Sequence, residues 1–231
     1  DLSGTISADS ADLTSTNGAI TQSGGTLTVV TGPTNLEADG AITLDQANDF
    51  NGTVNVLNGT DITLNDTNAL TLGDITASGK LDATAADDLD LSGTISVDNA
   101  DLTSTNGAIT QSGGTLTVVT GPTNLEADGA ITLDQANDFT GTVNVLGGTD
   151  VTLNDTDALT LGDVTASGKL DATAATNLAL DGIIAVDELE ATAASGAIAQ
   201  GDGGTLTVAT GPTTLTAGTD ITLDAATNDF N

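Results

Sequence analysis

Apolar and polar residues alternate along this chain in runs of four or five, and each run ends at Gly, Asn or Asp. Residues 18–22 read Gly-Ala-Ile-Thr-Gln, 25–29 Gly-Thr-Leu-Thr-Val, 41–45 Ala-Ile-Thr-Leu-Asp, 52–56 Gly-Thr-Val-Asn-Val and 61–65 Asp-Ile-Thr-Leu-Asn. A period of two with turn residues between runs predicts short β-strands, each with one buried face. Thr and Val are stiff at χ1 and suit a pleated surface. Helical spacing is not sustained, and Ala83-Thr84-Ala85-Ala86 is too short and Thr-interrupted to hold a helix.

The pattern then repeats as a block. Residues 1–89 match 90–178 at 80 of 89 positions without a gap, and the differences are mild, such as Ile62/Val151 and Ile75/Val164. A diverged, incomplete third copy fills 179–231, marked by Gly204-Thr205-Leu206-Thr207-Val208, Gly211-Pro212 and Asn228-Asp229-Phe230. Such self-similarity marks one continuous array over 1–231 rather than separate enzyme domains. Inside the block the runs group in threes, beginning Leu13-Ile20-Leu27 and Leu36-Ile42-Val54, and the first members of successive groups are Leu13, Leu36, Ile62, Leu81 and Leu102. This predicts an all-β parallel β-helix, or β-solenoid, with three strands per coil and four coils per 89-residue repeat. The inward ladders expected are Leu13–Leu36–Ile62–Leu81–Leu102, Ile20–Ile42–Leu70–Leu89–Ile109 and Ile6–Leu27–Val54–Ile75–Ile95. An array of antiparallel sandwich domains fits the repeat length as well. The lack of Trp and Tyr and the single Pro per copy (Pro33, Pro122, Pro212) argue against it.

Composition narrows the function classes. There are 33 acidic residues against Lys80 and Lys169, a net charge of −31, and no His, Cys, Met, Trp or Tyr. Acidic, aromatic-poor chains are often disordered, but these apolar residues recur with fixed geometry. Nucleic acid and anionic membranes are excluded as partners for want of cations, and no apolar run is long enough to span a bilayer. Without Cys or His there is no Cys–His or Ser–His–Asp machinery and no His/Cys zinc site. A carboxylate pair among Asp87, Asp88 and Asp90 is not repeated, since the second copy has Thr176 and Asn177 at the first two places. No enzyme is expected and no cofactor, with one exception: Ca²⁺ suits oxygen-rich turns. Asp45, Asp49 and Asp66 are its candidates, weighed against turns that cap their own backbone.

The chain starts and stops within a repeat, which suggests a piece of something longer. In the expected coils one spacing stands out. Ile42 and Val54 lie much farther apart in sequence than the matching pairs Ile20–Leu27 and Leu70–Ile75. The excess segment, Asp45, Gln46, Ala47, Asn48, Asp49, Phe50 and Asn51, recurs with Asp134, Gln135, Asn137, Asp138 and Phe139, and again with Asp229 and Phe230. It is expected to loop out every fourth coil. Its Phe either folds back over the core or offers a periodic contact to a neighbouring rod or a host surface.

The runs Gly-Ala-Ile-Thr-Gln-Ser-Gly-Gly-Thr-Leu-Thr-Val and Asn-Asp-Phe-Asn-Gly-Thr-Val-Asn-Val resemble the repeat region of filamentous-haemagglutinin-like bacterial exoproteins, many exported by two-partner secretion. The resemblance spans essentially the whole chain. It implies a right-handed β-helix shaft of a secreted or surface-attached adhesin, extracellular in location, spacing other functional regions. The family's N-terminal secretion domain is not in this sequence, so binding activity is not implied. Self-association into filaments and a calcium-dependent surface-binding module are the alternatives. A flat Thr array such as Thr26-Leu27-Thr28 against a regular surface is disfavoured by uneven coil lengths.

Overall fold

The computed structural model describes residues 1–230 as a parallel β-solenoid of about 11 coils, with no helix among the described residues. Two parallel sheets enclose a single aliphatic core. In the first sheet Ile20–Thr21 and Leu27–Val29 both pair with Ile42–Phe50, and Ile62–Asp66, Lys80–Ala85 and Asn99–Ser104 stack after it. The second stacks Ala11–Ser15, Thr34–Ala38, Thr53–Asn58, Leu70–Thr76 and Leu89–Leu91. Each strand therefore meets its partner a full coil away, which suits parallel pairing without hairpins. Alternate residues turn inward, as in Lys80–Ala85, where Leu81, Ala83 and Ala85 are buried and the residues between them are not.

The solenoid bears out the architecture read from the periodicity, but the coil is shorter than expected. Ile20, Ile42, Ile62, Leu81 and Ala100 follow one another in register, one coil apart each time. A coil of about 20 residues divides the 89-residue repeat into roughly four and a half coils, not four. Three strands per coil hold only where a turn splits one face, as at Ala11–Ser15, Ile20–Thr21 and Leu27–Val29; elsewhere a coil has two. The expected grouping of Leu36, Ile42 and Val54 failed because Val54 already lies on the next coil, over Thr34. The ladders are corrected accordingly. Leu13–Leu36, Ile62–Leu81, Leu70–Leu89–Ile109 and Ile75–Ile95 stack as read. Leu36, however, meets Val56, and Ile42 meets Ile62 rather than Leu70. Leu102 meets Ala83 while Leu81 meets Ala100. At that junction a large side chain faces a small one on each side, which keeps the core thickness constant.

The half coil has a geometric consequence. Ala11–Ser15 belongs to the second sheet, its equivalent Asn99–Ser104 to the first, and the third copy's Glu188–Ala193 to the second again. Successive repeats are turned by about half a revolution, so each surface feature appears on alternate sides of the rod.

One glycine per copy sits at φ > 0 where a turn breaks a sheet face: Gly25 at 72°, Gly114 at 59° and Gly203 at 91°. A Cβ on Gly114 would run into the Gly93 carbonyl oxygen one coil below. Glycine is required there both for its backbone angle and for the close approach of coils.

Candidate functional site

The segment expected to loop out does not leave the shaft. Ile42–Phe50 and Ile131–Phe139 are nine-residue strands crossing a whole face, with a bulge between Leu44 and Asn48. Phe50 stacks on Val29 and Phe139 on Val118, and each is 1% exposed. Folding back over the core is thus what the Phe does, and neither ring offers a contact. Asn48 and Asn137 are buried, Gln46, Asp49 and Asp138 half-buried, and Asp45, Asp134 and Gln135 exposed. Asp229 and Phe230, on the last described coil, are exposed, and Phe230 pairs with Val208.

The bulge strands backbone groups inside the core, and two side chains recover them. Gln22 Nε2 donates to Asn48 Oδ1 at 2.8 Å, and Asn48 Nδ2 returns a bond to Gln22 Oε1 at 3.1 Å. The same Asn48 oxygen accepts Leu27 N–H at 2.9 Å, its amide donates to Leu44 O at 3.0 Å, and Gln46 N–H reaches Gln22 Oε1 at 3.3 Å. Gln111 and Asn137 repeat this set on the opposite sheet, and in the third copy Gln200 and Asn228 keep the paired amides and the bonds from Leu206 and Ala225 N–H. The pattern of the sequence put Gln22 at the end of a strand run and Asn48 and Asn137 in the looped-out segment, with no internal role for any of them. Their one signal was recurrence: Gln and Asn keep their places in the third copy although residues are inserted around them.

Asp66 is the next coil's answer to the same bulge. It is 1% exposed, and its two oxygens accept Phe50 N–H at 3.0 Å and Asn68 N–H at 2.9 Å. Burial pushes its pKa up to about 6, against the pull of those N–H groups, with the Asp49 charge adding to the rise. Asp155 repeats the contacts to Phe139 and Asp157, and burial raises its pKa too. The calcium candidates are thus engaged with protein donors. Asp49 accepts Asn51 and Asn68 amides at 2.9 and 3.2 Å, and Asp45 accepts that of Gln46 at 2.8 Å. Among the described residues no group of three or more His, Cys, Asp or Glu side chains is gathered for a metal.

The outer carboxylates and amides tie coil to coil. Asn35 donates to Asp12 at 2.7 Å, Asn55 to Asn35 at 2.9 Å, and Asp74 N–H to Asn55 at 3.1 Å. Asp61, Asp88 and Asp150 accept the backbone N–H of Lys80, Ala108 and Lys169 on the following coil. Each lysine sits where two acids are brought into register. Asp82 pairs with Asp101, and Lys80 Nζ contacts both; Asp171 pairs with Glu190, and Lys169 Nζ lies 3.2 and 2.5 Å from them. The partner carboxylates, Asp101 first for Lys80 and Glu190 first for Lys169, raise both lysine pKa values. A bulge opposite Leu36 and Leu125 turns Leu57 and Leu146 outward, 63% and 58% exposed.

What this geometry supplies is a regular, acidic, coil-locked rod whose units match a known repeat family. A family model described as "Repeats of unknown function (DUF5649)" matches residues 1–57, 59–104, 86–146, 148–188 and 172–231. The chain belongs to this family. The matches tile the chain about twice per 89-residue repeat, so the family's unit is a short stack of coils. No curated protein and no solved structure matches the chain.

Proposed function

We propose that this chain is a shaft segment: a stiff, acidic spacer in a secreted or surface-attached bacterial adhesin or extracellular fibre. The observation that carries the reading is the continuous coil-to-coil pairing of both sheets through all three copies, which bulges shift in register but do not interrupt. Every coil is bonded to the next through backbone, core ladder and side-chain ladder alike, so bending the rod requires breaking all three at once. The charge of −31 suits a rod that stays soluble and separate from its neighbours. The resemblance to filamentous-haemagglutinin-like repeats supports the extracellular placing. Contacts with other rods or with a host surface would fall on exposed residues such as Asp45, Asp134 and Gln135.

Two measurements test the proposal. Immunogold labelling of intact source cells with antibodies to this segment should decorate surface projections; label confined to the cell interior would overturn it. Removing residues 90–178 should shorten the rod by roughly 22 Å in solution scattering, since each coil rises about 4.8 Å. An unchanged length, or collapse into a compact particle, would contradict a spacer.

A further inference from the structure

The second copy carries a groove whose counterpart in the first copy is filled by a side chain. It has a volume of about 480 Å³ and is lined by Ser104, Glu126, Ala127, Asp128, Gly147 and Gly148 among others. Residue 58 is Asn where the second copy has Gly147. Asn58 lays its carboxamide over the preceding coil and donates to Ala38 O at 2.9 Å. Ala127 is the equivalent of Ala38, and a Cβ built on Gly147 would meet nothing nearer than Ala127 O at 3.8 Å. The first copy therefore displays what this groove accepts: a nitrogen donor above a backbone carbonyl.

The surroundings select the charge of that donor. Glu126 and Asp128 are exposed carboxylates on the groove wall. The buried Ser104 hydroxyl gives its proton to Asp87 O at 2.6 Å, so its oxygen is left as an acceptor. Both lysines are held by their own carboxylate pairs elsewhere. An ammonium carries three donors and no acceptor, and matches this set of oxygens. We propose that the groove beside Gly147 binds a protonated primary amine on a flexible aliphatic stem, the chemistry of a lysine side chain of a partner protein. Because the repeat turns by half a revolution, a rod whose copies all carried Gly here would offer such grooves on alternate sides.

The test is an NMR titration of the whole chain with Nα-acetyl-lysine amide, read at backbone amides. The expected result is a saturable shift at Gly147, Gly148 and Asp128, weakened at least tenfold in Gly147→Asn. That variant should fold normally, because the first copy holds Asn in the same setting. Asn58→Gly should create a second saturable site around Gly59 on the opposite sheet. Shifts spread over all exposed acids and equal in the three proteins would overturn the proposal. So would tighter binding of the neutral Nα-acetyl-glutamine amide than of the lysine probe.

Discussion

Single residues show how polar groups are tolerated in a core this narrow. The Gln–Asn pair is bonded at every polar atom, so breaking it should be costly: Asn137→Leu takes the acceptor from Leu116 N–H and from Gln111 Nε2, and leaves only Gln135 N–H on Gln111 Oε1. A loss of about 3 kcal/mol or more in denaturant unfolding is expected. The reverse holds at Thr34 and Thr123, whose buried hydroxyls have no hydrogen-bond partner. Thr123→Val keeps the shape and removes the unpaired group, and should stabilise the chain by about 1 kcal/mol by the same measurement. Asp66 sets a pH dependence. Its carboxyl ordinarily titrates near 3.8 but at about 6 when folded, so between those values the folded chain holds a proton that the unfolded chain has lost. Its contribution is therefore most favourable below the lower value, declines as pH rises through the window and is constant above it. From pH 4 to 7 the decline is on the order of 2–3 kcal/mol. Unfolding curves across that range should be flatter for Asp66→Asn than for the unaltered chain by this amount. None of these roles was legible from residue type alone, because Asn48 and Asp66 read as loop or turn residues and Gln22 as the polar end of a strand run. Only the tertiary pairing of coils shows them to be internal.

Elements were more legible, since strand periodicity depends on local alternation and survives without knowledge of neighbours. The runs at 25–29, 52–56 and 61–65 all became strands with alternate apolar residues inward as expected. Which strand sits over which was harder. Spacing between apolar anchors does not reveal whether a stretch such as Asp45–Asp49 leaves the surface or crosses it, and the bulge closed by Gln22 and Asn48 decides that. Counting the stretch as a loop joined Val54 to the wrong coil and gave four coils per repeat instead of about four and a half. The turn glycines are the opposite case, where an element depends on one residue. Gly114→Ala must place a Cβ against Gly93 O in a left-handed backbone. The cost should reach at least about 2 kcal/mol, with faster amide exchange in Ile95–Val97 and Leu116–Val118 before the rest of the rod.

The molecule as a whole is a continuous solenoid in which each repeat is turned by half a revolution. That geometry makes the rod two-sided. A side chain on one face of the first copy appears on the opposite face of the second, as Leu57 and Leu146 do. It also explains why the lysines Lys80 and Lys169 each bridge a pair of stacked acids, one pair on each sheet, rather than forming a single basic line. The chain has no Cys, so spin labels can be placed at will. The most direct test is pulsed electron-resonance distance measurement on two double-cysteine variants, Thr43→Cys with Asn124→Cys and Thr84→Cys with Thr173→Cys. Thr43 and Asn124 are four coils apart on one sheet, through Thr63, Asp82 and Asp101. Their labels should give a narrow peak at roughly 19 Å, while Thr84 and Thr173, on opposite sheets, should give roughly 30 Å. A Thr84–Thr173 peak at roughly 19 Å would mean that repeats stack in phase, four coils to each. Distances of about 40 Å for Thr84–Thr173, with a broad Thr43–Asn124 distribution, would replace the solenoid with a string of separate domains.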